Sequence, residues 1–246
     1  KEENTRLKEL NDMKEKFISI TNHELRTPIT IIKGYADLME IFGEETLSDE
    51  HKHSLSVIKT TLNDMTQVVD RMHYMSQLNN NALSVKKTTF SLNEMVQSLI
   101  EQFQLICQER QQQINLIAET EVLINNDLEL VKSCFRELIQ NAIKFTANGG
   151  VIKIKLSQKP NEATLSIEDN GIGIDENIQH LIYDMFFEAQ DVLYHSSSKN
   201  NYLGSGLGVG LYIVKELGRA CDFKVSCDSK LDNGAKFTLH FSESIL

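Results

Sequence analysis

Along the first third of the chain, Leu10, Met13, Phe17 and Ile20 recur at steps of three, four and three. Leu25, Ile29, Ile32, Ala36 and Met39 continue at four, three, four and three. Such spacing keeps apolar side chains on one side of a helix and predicts a coiled-coil seam ending near Ile41. Between Ile20 and Leu25 the step is five, so the seam shifts where His23 and Pro28 sit. Pro28 removes a backbone donor and predicts a local bend. Gly43 to Asp49 reads as a connection, with Ser48 or Asp49 as the N-cap of a second helix. In that helix Leu55, Ile58, Leu62, Met65, Val69 and Met72 keep the same heptad rhythm. Two such helices joined by a short loop form an antiparallel hairpin. A lone hairpin buries two apolar stripes poorly, so the pattern predicts a homodimeric four-helix bundle.

Asn79 to Asn81 and Ser84 to Thr89 are polar and mark a boundary, dividing the chain into residues 1–83 and 84–246. Beyond it Ser91 opens a helix carrying Leu92, Met95, Val96, Leu99, Ile100 and Phe103. Strands are expected over Ile114–Ala118, Val151–Leu156, Ala163–Glu168, Phe223–Cys227 and Ala235–Phe241, with helices over Asp127–Thr146 and Tyr212–Leu217. Helices mixed with mostly sequence-adjacent antiparallel strands predict one sheet with helices on one face, a two-layer α/β sandwich.

Composition narrows the function. Of 246 residues, 41% are apolar and 24% charged, ordinary for a globular protein with a core. The formal net charge of -10 argues against a general nucleic-acid binder but leaves room for a nucleotide in one local pocket. Cys107, Cys134, Cys221 and Cys227 show no CxxC spacing, so they read as small apolar side chains in a reducing compartment. No apolar run is long enough to span a bilayer and no signal peptide is visible. Lys1 falls inside a charged helical pattern, so the chain reads as a cytoplasmic piece of a longer protein. Any anchor in the inner membrane is expected to lie in segments outside it.

Four segments carry candidate chemistry. His23 lies two positions before Leu25, about 200° around the helix from the seam, and so faces water. Thr27 shares its face and Glu24 is its neighbour. An imidazole beside a carboxylate has one nitrogen oriented and the other available as nucleophile. Glu137, Asn141 and Lys144 step by four and three along one helix face, a carboxylate, an amide and an ammonium suited to a Mg2+–phosphate complex. Asp169-Asn170-Gly171-Ile172-Gly173-Ile174 follows a strand, and its carboxylate is placed to accept from an exocyclic amine such as that of adenine. Gly204, Gly206, Gly208 and Gly210 precede a helix, where backbone N–H groups approach phosphate oxygens. Asp191 to Leu203, which includes His195 and Lys199, has the composition of a flap over a site.

Taken in order, these segments resemble the sensor histidine kinase family over almost the whole chain. FISITNHELRTPI at 17–29 resembles its phospho-acceptor box and ELIQNAIKFT at 137–146 its N box. DNGIGI at 169–174 is similar to its first glycine box, Met185-Phe186-Phe187 to its phenylalanine box, and GLGVGL at 206–211 to its second glycine box. The resemblance implies a dimerisation and histidine-phosphotransfer hairpin at 1–83, followed by a Bergerat-type ATP-binding domain at 84–246. It implies that His23 accepts the γ-phosphoryl group of Mg-ATP and passes it to an aspartate of a response regulator. Glu24 would orient His23 or act as its base. Asn141, with Glu137, would hold Mg2+, and Lys144 would contact phosphate. Phe145 belongs to the same box, and Asp169 would read the adenine amine. Gly171, Gly173, Gly206, Gly208 and Gly210 would shape the pocket and the lid hinge.

The Glu24-to-Thr27 spacing also matches the family's phosphatase motif, in which the Thr position orients a water attacking the partner's phospho-aspartate. One departure is Glu188, where many members carry a basic residue; Lys199 is the candidate replacement. Two other classes fit parts of the pattern. Intact His23, Asn141 and both glycine boxes speak against a nucleotide-binding dimeric scaffold without kinase activity, while Glu188 leaves it open. An ATPase outside signalling would use Glu137 to activate water and would have no use for HELRTP.

Overall fold

The computed structural model describes residues 25–41, 43, 47–80, 82–185, 187 and 208–242. The chain divides into two compact units, Lys1–Leu83 and Ser84–Leu246.

In the first unit residues 25–41 (α1) are helical through Pro28, and α2 spans Asp49–Asn79. Ser48 is the N-cap, its Oγ accepting from His51 N at 3.4 Å. Cross-helix contacts run Arg26–Asp70, Lys33–Asn63 and Lys59–Asp37, so the helices are antiparallel. These pairs are exposed and set register more than stability. Ile29 and Ala36 pack against Leu55, Leu62 and Val69, with Leu47 at one end. The members of each list are seven residues apart, one position of the heptad. The alternate position, Leu25, Ile32 and Met39 on α1 with Ile58 and Met65 on α2, remains exposed. Leu10, Met13, Phe17 and Ile20 lie outside the described residues, and over the described ones each seam is half used within the hairpin.

The second unit contains β1 (Thr88–Ser91), α3 (Leu92–Glu109), β2 (Gln113–Ala118), β3 (Leu123–Asn126), α4 (Leu128–Phe145), β4 (Val151–Lys159), β5 (Glu162–Asp169), α5 (Gly210–Ala220), β6 (Phe223–Ser229) and β7 (Ala235–Ser242). Ser91 caps α3 through Glu94 N, and Asp127 caps α4, its Oδ1 accepting from Glu129 N and Leu130 N at 3.1 Å each. Five strands form one sheet in the order β2-β4-β5-β7-β6. Ile152, Ile154 and Leu156 of β4 and Phe237, Leu239 and Phe241 of β7 are buried. Lys153, Lys155 and Lys236 point to the exposed face, so the helices cover one side.

Two features depart from the expected strand pairing. β2 pairs with β4 in parallel, because the chain returns through α4 rather than through a hairpin. β7 lies between β5 and β6, so β5 meets a non-consecutive partner. A separate two-stranded sheet joins β1 to β3, TTFS to LINN, neither of which alternates in polarity.

Candidate functional site

Three of the sequence motifs meet at the C-terminal half of α4. Glu137 is buried and its carboxylate reaches the first turn of α5. A Cβ at Gly210 would lie 2.5 Å from Glu137 Oε2, so a side chain there would push the Glu137 carboxylate aside. One turn on, Asn141 is half-buried, and Lys144 follows with its Nζ 5.3 Å from the centre of the Phe145 ring. At the end of the helix the Phe145 carbonyl accepts from Ile172 N at 3.3 Å. A Cβ on Gly171 would collide with that same carbonyl, so the DNGIGI loop presses its backbone onto the N box.

Asp169 closes β5 and is buried. Its Oδ1 accepts from Gly171 N at 2.9 Å and Ala235 N at 3.3 Å, and no described residue donates to Oδ2. Burial lifts its carboxyl above the ordinary aspartate range, against the pull of those two N–H groups and with some help from Glu168. The loop is held from behind by residues the motif reading missed. Ile174 N donates to Ser229 Oγ at 2.9 Å, and Ser229 Oγ donates to Gly234 O at 2.7 Å. Gln179 bridges Ile174 O and Ser229 O, and Asp232 N donates to Ile172 O. Gly173 (φ 67°) lies against the Lys230 carbonyl. The signal in the sequence was faint: a serine and an Asp-Asn-Gly turn between two strands.

Gly208 (φ 63°) precedes α5, one residue before the cap position Val209. Gly206, Lys199 and Glu188 lie outside the described residues, as do His23 and Glu24 of the first unit. Thr27 is described and is exposed on α1. The donor set suits a Mg2+ ion held mainly through nucleotide phosphates, because one carboxylate and one amide oxygen stand a turn apart on α4. Among the described residues no group of three or more His, Cys, Asp or Glu forms a self-contained metal cage. All four cysteines are free. Cys107, Cys134 and Cys221 are buried, while Cys227 is half-buried with its thiol pushed up by burial to about 12.

Residues 13–81 match the His Kinase A (phospho-acceptor) domain, and residues 126–245 match the histidine kinase-, DNA gyrase B- and HSP90-like ATPase family. The chain is 27% identical over 237 residues to the heme sensor protein HssS of Staphylococcus saprophyticus, covering 96% of this chain and 48% of that protein. It is 28% identical over 241 residues to the sensor histidine kinase YkoH of Bacillus subtilis, covering 96% and 49%. The structure of full-length ShkA in complex with AMPPNP superposes with a TM-score of 0.67 at 20% identity, covering 94% of this chain and 47% of that one. The chain thus spans about half the length of these relatives. With a phospho-acceptor helical domain followed by an ATPase domain whose N box and glycine boxes converge on one helix, the chain belongs to the sensor histidine kinase family, as its catalytic core.

Proposed function

We propose that the second unit binds Mg-ATP and that its γ-phosphoryl group passes to His23, then to an aspartate of a response-regulator receiver domain. The observation carrying this reading is the convergence on α4: Glu137 against Gly210, and Phe145 O against Gly171 and Ile172. Asp169 reads the adenine amine through Oδ2. Asn141 and Glu137 supply oxygens to Mg2+, while Lys144 faces the phosphates, with Gly171, Gly173, Gly206, Gly208 and Gly210 admitting the backbone close to them. When bound, Mg2+ balances charge on the departing ADP. Neutral His23 attacks in line: a ring nitrogen forms the N–P bond as the bond to the β-phosphate oxygen breaks. Glu24 orients the ring or takes the proton from its second nitrogen. Lys199 is assigned the positive charge that Glu188 does not supply.

The exposed half-seam of Leu25, Ile32, Met39, Ile58 and Met65 supports dimerisation of the hairpin with a second copy. Among the described residues no helix is long and apolar enough to cross a membrane, and any anchor of the whole protein in the inner membrane would belong to other segments. The 1–83 and 84–246 units take the phosphotransfer and ATP-binding roles respectively. Thr27, exposed on α1, supports a second activity in which it orients the water that attacks the partner's phospho-aspartate. A Thr27→Ala variant that dephosphorylates its partner at full rate overturns that assignment.

The test of the kinase reading is incubation with γ-labelled Mg-ATP. Wild type is expected to acquire acid-labile, alkali-stable label, and His23→Gln none. Equal label on both removes His23 as the acceptor.

A further inference from the structure

α4 ends in carbonyls that its own helix leaves without partners, and two side chains from a distant turn take them. Arg110 Nη1 donates to Ile143 O, and Nη2 donates to Thr146 O at 2.8 Å. Gln112 Nε2 donates to Ile143 O at 3.1 Å and to Thr146 O at 2.8 Å. The guanidinium also reaches Asn148 Oδ1 through Nε at 3.1 Å. The turns interlock through the backbone as well, with Gly149 N donating to Arg110 O at 3.0 Å and Gln113 N to Gly150 O at 2.9 Å. Between the two side chains Gln111 adopts φ 55°, the left-handed conformation that sends Arg110 and Gln112 to the same helix end.

The clamped carbonyls, 143 and 146, bracket Lys144 and Phe145. They flank the Phe145 carbonyl on which the DNGIGI loop rests. A cation at a helix C-terminus also meets the negative end of the helix dipole. The fork holds two carbonyls three residues apart through separate nitrogens of one rigid guanidinium, which a single ammonium does not reproduce. The backbone carrying Lys144 is thus gripped on both sides, from the Arg110–Gln112 turn and from the Gly171 loop.

We propose that Arg110, seconded by Gln112, is a positioning residue for nucleotide phosphate: it fixes the last turn of α4 so that Lys144 meets the phosphates. The proposal rests on the ATP-binding reading given above. Neither residue has to touch the nucleotide, and the effect passes through Lys144.

The test measures the affinity of the full chain for ATP and for adenosine, in wild type, Arg110→Gln, Lys144→Ala and the double variant. Arg110→Gln is expected to weaken ATP about tenfold while leaving adenosine within about twofold, because the loop beside Asp169 is also held by Ser229, Gln179 and Ala235 N, whereas Lys144 sits on the clamped turn itself. The double variant is expected to bind ATP no more weakly than Lys144→Ala alone. Equal loss of ATP and adenosine, or additive losses in the double variant, overturns the proposal and leaves Arg110 a purely structural cap. Wild type that binds ATP, with Lys144→Ala weakened but Arg110→Gln unaffected, overturns it while the ATP-binding reading stands. Wild type that binds neither ligand removes that reading, and the proposal with it. Where Arg110→Gln does not fold, Arg110→Lys keeps the charge but loses the fork, and a partial loss of the same ATP-over-adenosine selectivity is expected; unchanged selectivity overturns the proposal.

Discussion

Replacing Asp169 by Asn separates recognition from stability. Oδ1 of Asp169 already accepts from two backbone donors, Gly171 N and Ala235 N. An asparagine amide keeps both bonds only by placing its own oxygen there, which forces its NH2 group into the position of Oδ2. That group is a donor, and it would face the donor amine of adenine. The variant loses a charge-assisted hydrogen bond and gains a donor–donor contact, together about 2–3 kcal/mol, or about 30- to 150-fold in Kd.

Stability moves the other way. Burial raises the folded-state pKa of Asp169 above its unfolded value, so the carboxylate costs stability at pH values above both. The cost vanishes as pH falls through the folded pKa toward the unfolded one. Asp169→Asn is therefore expected to melt at or above wild type at pH 7 to 8, with the gap closing toward acid. Isothermal titration with ATP and inosine triphosphate, alongside thermal melts, makes the comparison. The variant should lose ATP affinity and shift its preference toward the 6-oxo purine, which accepts from the new NH2. An ATP affinity within about twofold of wild type, with no gain for inosine triphosphate, refutes the reasoning, since it would mean that Oδ2 contacts nothing that donates.

Other outcomes follow from packing. Leu62→Ala in the hairpin core should cost about 2–5 kcal/mol in urea unfolding. Met65→Ala, three residues on at the alternate seam position and exposed, should weaken self-association in sedimentation while changing local packing little. Gly171→Ala sets a methyl against the Phe145 carbonyl and should destabilise the second unit by about 1–3 kcal/mol and abolish nucleotide binding by calorimetry. Asp127→Ala removes a cap serving Glu129 N and Leu130 N and also the Oδ2 acceptor of Lys86 N, so its cost in thermal melts should exceed the ~1 kcal/mol of an ordinary N-cap.

The described parts of the hairpin helices, α4, the DNGIGI loop and the five main strands were legible along the chain, because each rests on local periodicity or turn chemistry. Ser48, Ser91 and Asp127 stand where capping chemistry places them. Heptad spacing identified the apolar seams but could not say which half of each seam packs within the hairpin. Ile29 and Ala36 are inside while Ile32 and Met39 are not, a choice made by the facing helix. β1 and β3 escaped the reading because TTFS and LINN become strands only by pairing with one another. The parallel β2–β4 pair and the place of β7 between β5 and β6 are likewise set by which edges the helices leave open.

The sequence by itself determined the residue types of the candidate site and their order, since the phosphate, metal and adenine of the proposed function would each demand particular donors and acceptors. Tertiary structure alone decided that Glu137 meets Gly210, that Gly171 rests on the Phe145 carbonyl, and that Arg110 and Gln112 grip the end of α4. Those contacts join residues far apart in the chain through backbone atoms, and a backbone carbonyl leaves no mark in a sequence.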